Sequence, residues 1–572
     1  MIFFNTNHEK NKKMNNKYIT LFLALAAILF NSCLSDFLET EIQADIVVEN
    51  FYQTPDDARM AVTAAYSVLN NAAIGGAGPR QSGAMHSWSY LAMGDWSSDD
   101  AEVGGANIGE SPGGQAIASF SHNSGNGFFE NLWKEAFHGI YRANLVLHHI
   151  PGINFDGRQE PSGYDLQERY LAEVKFLRAY YYFSLVRAFG GVPLALEPLS
   201  PSQYIMPRAT LGQVFAQIQK DLEEAIPHLP LKNQYAAADM GRATKGAAQA
   251  LLAKVCLFES SYALNYPGDE RFQGAGIKWQ KAFDAAESVI QSNQYNLSTP
   301  YHKIFLTESE NGPESVFEVQ FKESADQTWH NENTGNTLYT MTRSRDPRYP
   351  ALGEGWGYHL PTQNLIDAFE TGADHGGSAD DWVDPRLDAT VVFDGEPAFW
   401  DPNDTLYVRI EPERSYTGYL TEKYLVAPWE APSNWSDAPN NLRLIRYSEV
   451  LLMHAEAAFH LGNESAARNS LNKVRERARN GNPDILPNVT ATGQALLNTI
   501  RHERRVELAM EGRRFYDLVR WGIAAQVINE FYENNEVIQL TNPFIPGVHE
   551  LFPIPLKEIN NTNGVVVQNP GY

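Results

Sequence analysis

Apolar residues recur at helical spacing along most of the first half of this chain, and this periodicity limits the fold more than any other feature. One stripe runs through Ala58, Val62, Ala65 and Leu69. Residues three and four positions apart lie on one face of an α-helix, and an apolar face packs against a neighbouring element. The same pattern predicts helices over residues 51–69, 128–150, 171–189, 210–226, 245–260 and 279–291.

A pair of helices is predicted late in the chain, over 447–461 and 465–478, with Gly462 in the short turn between them. Helix pairs with small and aromatic residues at close-packing positions resemble tetratricopeptide units, although no strict repeat period is present. The sequence therefore predicts a mainly α protein with a tetratricopeptide-like scaffold of helix pairs.

The stretch 294–441 has a different character. Gly, Pro, Asp and Asn are frequent, residues 316–321 alternate like a strand, and six of the eleven tryptophans of the chain fall here. We expect an inserted, loop-rich lobe with short strands, between scaffold segments 45–293 and 442–572. Because no long Pro/Ser/Gly linker separates two core-forming halves, a single domain over 33–572 is predicted.

The N-terminus has the pattern of a processing signal. Basic residues up to Lys17 precede the apolar run 18–30, and Cys33 follows at once. The run is shorter than the ~20 residues that a membrane-spanning helix needs, so residues 1–32 are predicted to be a signal peptide. The cysteine after this run resembles a bacterial lipobox, which implies lipidation of Cys33. The alternative is an ordinary secretory peptide with an incidental cysteine.

The charge and cysteine content narrow the possible partners. The chain carries 69 acidic and 45 basic residues, a formal net charge of −24 at pH 7, which disfavours nucleic acid and anionic lipid headgroups. The second cysteine, Cys256, lies in a helical pattern and is predicted to be a small buried hydrophobe. Two cysteines with these placements support neither a disulfide framework nor a thiolate metal site.

Several blocks of the sequence resemble one protein family. Residues 502–522, HERRVELAMEGRRFYDLVRWG, resemble the ERR-x-E-L-x-x-E-G-R-R-x-x-D-L-x-R-W block of the SusD-like (RagB/SusD) family. The PIP at 553–555 and the final QNPGY at 568–572 resemble the ending of that family. Further blocks match in the same order at 177–194, 242–248, 384–387 and 446–453.

The resemblance implies a function. The family consists of outer-membrane nutrient-binding lipoproteins that bind glycans at the cell surface and sit on a transporter. We therefore expect a protein without catalysis or cofactor that captures an oligosaccharide for polysaccharide utilisation. Its expected partner is a SusC-like TonB-dependent outer-membrane transporter, and its expected place is the outer membrane, lipid-anchored and facing the cell exterior. The alternatives are a glycoside hydrolase with paired carboxylates and a surface adhesion or structural protein.

Aromatic and acidic residues in polar surroundings are the best candidates for a glycan site. A sugar ring stacks its C–H face on an indole, and its hydroxyl groups need polar partners. The candidate ligand-binding residues are Trp88, Tyr90, Asp95 and Trp96 in an early segment and Trp329, Tyr339, Trp356 and Tyr358 in the lobe. The four tryptophans of this set are expected to be partly exposed, whereas Trp133 and Trp279 are expected in the core. The alternative is that all of them pack the core.

Three other patterns have structural explanations. Glu503, Glu507 and Glu511 recur at a spacing of four and are predicted to line one helix face. We expect an ion-pair network rather than a catalytic pair, with cations from Arg504, Arg505, Arg513 and Arg514. Residues 109–113 match G-x-S-x-G but are predicted to be a flexible loop. The acidic clusters at 99–102 and 380–384 are predicted to be solvated rather than to bind calcium.

Overall fold

α-Helices are the predominant secondary structure in this computed structural model. It describes residues 51–70, 85–107, 109–158, 163–322, 335–345, 355–395, 410, 415–426, 430, 438–535 and 542–572. Residues 1–53 and 54–572 are two separate units, and every element named here belongs to the second.

Among the described residues, short strands occur between the helices from residue 101 to residue 446. The helices are α1 (Pro55–Tyr66), α2 (Trp88–Leu91), α3 (Pro112–Ala118), α4 (Gly127–His149), α5 (Leu166–Phe189), α6 (Leu211–Ala225), α7 (Lys245–Asn265), α8 (Trp279–Gln291), α9 (Leu338–Thr342), α10 (Gln363–Ile366), α11 (Tyr447–His460), α12 (Glu464–Ala478), α13 (Gly493–Glu507), α14 (Arg514–Arg520), α15 (Ala524–Glu533) and α16 (Leu556–Asn561). The strands are β1 (Ala101–Gly104), β2 (Ser315–Val319), β3 (Tyr358–Pro361), β4 (Val391–Val392), β5 (Leu420–Thr421) and β6 (Leu442–Arg446).

The long helices form a stack in which each one packs on the next. The order is α4, α5, α6, α7 and α8, and α8 then packs on α11 although the lobe separates them in sequence. The pair α11 and α12 continues into α13. This confirms a mainly α protein with a tetratricopeptide-like scaffold of helix pairs.

The centre of the stack explains two unusual helix sequences. Buried residues lie on every side of α5 and α7, as expected for helices that are surrounded by protein. A buried charge on such a helix needs a partner, and Lys254 of α7 lies 2.9 Å from Glu449 of α11. Trp133 and Trp279 are buried, as predicted, and so is Cys256.

The described strands form three two-stranded antiparallel ribbons. The pairs β1–β3 and β2–β6 connect the lobe to the scaffold, whereas β4 and β5 pair within the lobe. The predicted strand at 316–321 corresponds to β2, whose polar residues are buried as well as its apolar ones. Glu318 of β2 is buried because it pairs with Arg443 of β6 at 3.3 Å. In the ribbon that positions the site, Ala101 faces Pro361 and Gly104 faces Tyr358.

The C-terminal acidic block forms an ion-pair network, as predicted, but its cations come from other elements. The expected partners Arg504, Arg505, Arg513 and Arg514 pair with other acids instead. Arg446 lies 2.8 Å from Glu507 and 2.7 Å from Glu511, and Arg386 lies 2.5 Å from Glu503. One detail is wrong: α13 ends at Glu507, so Glu511 does not share its helix face. The chain instead turns at Met510, with φ of 62°, and carries Glu511 to the same arginine from a loop.

Two other local predictions are also wrong. Residues 109–113 do not form a simple flexible loop, because α3 begins at Pro112 directly after Ser111. Asp99 and Asp100 are buried rather than solvated: Arg514 lies 2.8 Å from Asp99, and Arg505 lies 2.7 Å from Asp100. Burial near two guanidinium groups is possible because each carboxylate gains charged hydrogen bonds in return.

Candidate functional site

Five aromatic rings meet where the β1–β3 ribbon joins the start of α4. The ring centroid of Trp88 lies 6.1 Å from that of Trp96, 6.1 Å from Phe128, 5.9 Å from Trp356 and 4.6 Å from Tyr358. The strand pairing of Gly104 with Tyr358 therefore brings an early segment and a lobe segment into one cluster.

Three members of this cluster reach solvent, namely Trp88, Trp356 and Phe128. Trp88 and Trp356 are partly exposed, as predicted, and their ring planes are inclined by 35°. Tyr358 is buried and meets Trp88 edge-on, with an interplanar angle of 66°. We call Trp88 and Trp356 the indole pair; Tyr358 supports it from behind.

An open pocket of about 620 Å³ lies beside Trp88. Phe128 forms another part of its wall, and the amide side chains of Asn123, Asn126 and Asn131 line it. Asn126 caps α4 by accepting a hydrogen bond from the Phe128 N–H at 3.0 Å and donates to the Gly113 carbonyl at 2.9 Å. These bonds fix the loop before α4, so the pocket wall is held by backbone structure.

His122 adds a neutral polar group to this pocket. Its Nε2 lies 3.1 Å from the hydroxyl of the C-terminal residue, Tyr572. Burial lowers the pKa of His122 to about 4, so the imidazole is uncharged at neutral pH. The pocket thus offers an aromatic wall with uncharged donors and acceptors, and no Asp or Glu lies among the described residues that line it.

Three of the early candidate residues have structural contacts instead. Tyr90 donates a hydrogen bond to the Glu511 carbonyl, and Asp95 accepts from the Gly512 N–H at 2.6 Å. Both side chains are buried. They satisfy the backbone of the turn that follows α13, and in this arrangement neither reaches solvent.

Trp96 corrects one prediction, because it is fully buried rather than partly exposed. Its Nε1 donates to His359 Nδ1 at 3.1 Å. An indole whose N–H has an internal partner gains from burial of the whole ring, and Trp96 accordingly forms the base of the aromatic cluster.

The lobe candidates divide in the same way. Tyr339 is buried and its hydroxyl accepts a hydrogen bond from Arg343 at 2.9 Å, so it belongs to the lobe core. Trp329, and the predicted lipidation site Cys33, lie outside the described residues. Phe128, Asn126 and His122 were missed by sequence reasoning. An Asn directly before a helical stripe is an N-cap signal that places Asn126, but nothing local connects it to Trp88.

The described helices were also compared with what a membrane span requires. None of them is both long enough and apolar enough to cross a bilayer.

Two protein-family models match the chain. One, described as the SusD family, matches residues 313–572, and another, described as starch-binding associating with outer membrane, matches residues 110–257. The chain belongs to the SusD-like family. The blocks at 502–522 and 568–572 thus indicated the family correctly.

Relatives match along most of their length. SusD-like protein P25 of Formosa agariphila is 26% identical, over 98% of this chain and 100% of the relative. The starch-binding protein SusD of Bacteroides thetaiotaomicron is 25% identical, over 71% of this chain and 73% of the relative.

Solved structures share the fold. A laminarin-binding SusD-like protein superimposes with a TM-score of 0.69 at 28% identity, covering 91% of this chain and 100% of that one. Surface glycan-binding protein A from Bacteroides fluxus gives a TM-score of 0.70 at 26% identity, with the same coverage of 91% and 100%.

Proposed function

We propose that this SusD-like protein binds an oligosaccharide at the indole pair and passes it, unmodified, to a SusC-like TonB-dependent transporter. It acts at the outer membrane, held there by a lipid on Cys33 and facing the cell exterior.

The single observation that carries the proposal is the geometry of the indole pair. Trp88 and Trp356 are partly exposed, and their ring centroids are 5.9 Å apart. Two fixed indole faces at that spacing accommodate neighbouring parts of a sugar chain, because each buries a C–H face on a rigid surface. The amides of Asn123 and Asn131 in the adjoining pocket supply partners for hydroxyl groups.

The pocket chemistry favours binding over hydrolysis. Glycoside hydrolases use two carboxyl groups, about 5 to 10 Å apart, on either side of the scissile bond. Among the described residues, none with a carboxylate lines the pocket beside Trp88. We therefore expect the ligand to leave the site chemically unchanged.

The relatives suggest which probe to use first. One structural relative at 28% identity is a laminarin-binding protein, so a β-1,3-glucan oligosaccharide such as laminarihexaose is the first ligand to test. Starch fragments are the second, because one family model is described as starch-binding.

The test is calorimetry with laminarihexaose and a polysaccharide panel. Trp88→Ala and Trp356→Ala should each weaken binding of the best ligand by about 2 kcal/mol or more, as hot-spot aromatics do. The matched control is Trp382→Ala: Trp382 is also partly exposed, but it stacks on His375 and packs near Ile485. Retained affinity in both site variants, or an equal loss in the control, would overturn the proposed site.

A further inference from the structure

A second pocket, of about 740 Å³, opens on another side of the β1–β3 ribbon region. Its walls come from β1, α10, the end of α13, the start of α14, and α15. Glu102 lies in it, Gln363 and Asn534 are at its exposed rim, and Phe531 forms an apolar wall. We call this the polar pocket; it shares no lining residue with the pocket beside Trp88.

Glu102 is the unusual group of the polar pocket. Only 2% of the residue is exposed, and one carboxyl oxygen accepts a hydrogen bond from Asn535 at 3.2 Å. The other oxygen, Oε2, is buried and has no hydrogen-bond partner among the residues that the structure describes. A buried oxygen without a partner is costly, whereas a ligand hydroxyl in the pocket would supply the missing bond. Burial also raises the pKa of Glu102 to about 7, so below neutral pH its carboxyl group is able to donate as well as accept.

The charges around the polar pocket point to an uncharged ligand. Arg505 and Arg514 line it, but both are already paired: Arg505 lies 3.0 Å from Asp99 and 2.7 Å from Asp100, and Arg514 lies 2.8 Å from Asp99. The exposed carboxylates Asp367 and Glu530 lie at the rim. Since no unpaired cation faces the pocket among its described residues, a carboxylate or sulfate group would gain little there.

The remaining groups match a saccharide. Amide side chains of Gln363, Asn364 and Asn534 both donate and accept hydrogen bonds, as sugar hydroxyls do. Val527 and Phe531 give one apolar wall, which suits the C–H face of a pyranose. A concave site with an apolar wall and a few convergent polar groups is the usual form of a small-molecule site.

We propose that the polar pocket is a second binding site, for one or two units of a neutral saccharide, with Glu102 and the rim amides as hydrogen-bonding partners. This site does not depend on the indole pair, and its ligand need not be the ligand that the indole pair binds.

The test uses the full chain with Trp88→Ala and Trp356→Ala combined, so that only the second site remains. The probes are laminaribiose, maltose and cellobiose, with digalacturonate as an anionic counterpart, observed by saturation-transfer NMR. At least one neutral disaccharide should bind in the millimolar range, more tightly than digalacturonate.

Two tryptophan substitutions localise that binding. Gln363→Trp should block the rim and weaken binding by about tenfold or more. Gln494→Trp is the matched control, because Gln494 is likewise exposed and donates to a side chain four positions on, but lies outside the polar pocket. Glu102→Gln, which keeps the shape of the side chain, should weaken binding about threefold or more without unfolding the protein.

Four results would overturn the second site. It fails if no neutral disaccharide binds the double variant, if Gln363→Trp binds as well as Gln494→Trp, if digalacturonate binds more tightly, or if the disaccharide is cleaved. A double variant that has lost all saccharide binding would overturn the polar pocket while leaving the proposed function at the indole pair intact. Unchanged affinity of the double variant for laminarihexaose, lost when Gln363→Trp is added, would overturn the indole pair and support the polar pocket.

Discussion

Asp95 holds the turn after α13 by accepting three backbone N–H groups. The Gly512, Arg513 and Arg514 N–H groups donate to it at 2.6, 3.0 and 3.3 Å. Each buried donor left without a partner costs about 1–3 kcal/mol. We expect Asp95→Ala to lower the free energy of unfolding by about 3 kcal/mol or more, measured by urea denaturation. Asp56→Ala, at an exposed pair with Arg59, is the control and should change stability little. An unchanged urea midpoint in Asp95→Ala would contradict this role.

His359 makes the protein sensitive to acid. This histidine is fully buried and has a φ of 65°, and burial lowers its pKa to about 3. In the unfolded chain the pKa is about 6.5, so the unfolded state binds the extra proton first as the pH falls. The contribution of a neutral His359 is therefore complete above pH ~6.5 and is lost progressively toward pH ~3, by about 1.4 kcal/mol per pH unit. Ring ¹⁵N shifts should show His359 neutral at pH 5, with the proton on Nε2 because Nδ1 accepts from Trp96. A protonated His359 at pH 5 in the folded protein would refute this.

At the scale of elements, Glu507 at the end of α13 connects this helix to three other parts of the structure. It lies 2.8 Å from Arg446 of β6, 2.5 Å from Arg477 of α12 and 3.2 Å from Arg386 of the lobe. These cations hold the pKa of Glu507 well below its usual range. Removing one partner of a buried ion pair costs about 3–5 kcal/mol, so Glu507→Gln should destabilise the protein by about that amount. Glu464→Gln, at a half-exposed pair with Arg468, should cost about 1 kcal/mol or less. Equal unfolding midpoints for Glu507→Gln and Glu464→Gln would show that the ion pairs of Glu507 do not stabilise the packing of these elements.

A helix or strand was predicted correctly where neighbouring residues in the sequence determine it. Residues 279–291 were predicted as a helix and form α8 with those bounds, because its apolar stripe and its ends are local signals. The helix α5 begins at Leu166, before the predicted 171, because Asp165 caps a polar first turn that carries no apolar stripe. The β1–β3 pairing was beyond the sequence, since it depends on contacts between distant segments.

Local sequence likewise predicted only part of the candidate site. Trp88 and Trp356 were predicted from aromatic residues in polar sequence, yet the same reasoning selected Trp96, which is buried. What separates them is the internal partner of the Trp96 N–H, His359, which lies far away in sequence. Composition thus indicated the kind of site, but its membership depended on tertiary contacts.

At the scale of the whole molecule, the proposed delivery of a bound oligosaccharide needs a second protein that opens a path across the membrane. We expect extraction in mild detergent to recover this chain with a large SusC-like barrel in near equal amounts, measured by quantitative mass spectrometry of the purified complex.

The variant Cys33→Ala separates the contribution of the lipid anchor to this association from the contribution of contacts between the two proteins. When it is expressed without the barrel, the Cys33→Ala variant should carry no acyl label and should not fractionate with the outer membrane. A lipid anchor raises the local concentration of the protein but makes no contact with the barrel itself. If contacts between folded surfaces hold the complex, the Cys33→Ala variant should therefore still bind when it is added to membranes that contain the barrel. Recovery of the wild-type chain alone, under conditions that preserve other outer-membrane complexes, would contradict delivery to a transporter. Acyl label on Cys33→Ala would contradict the anchor.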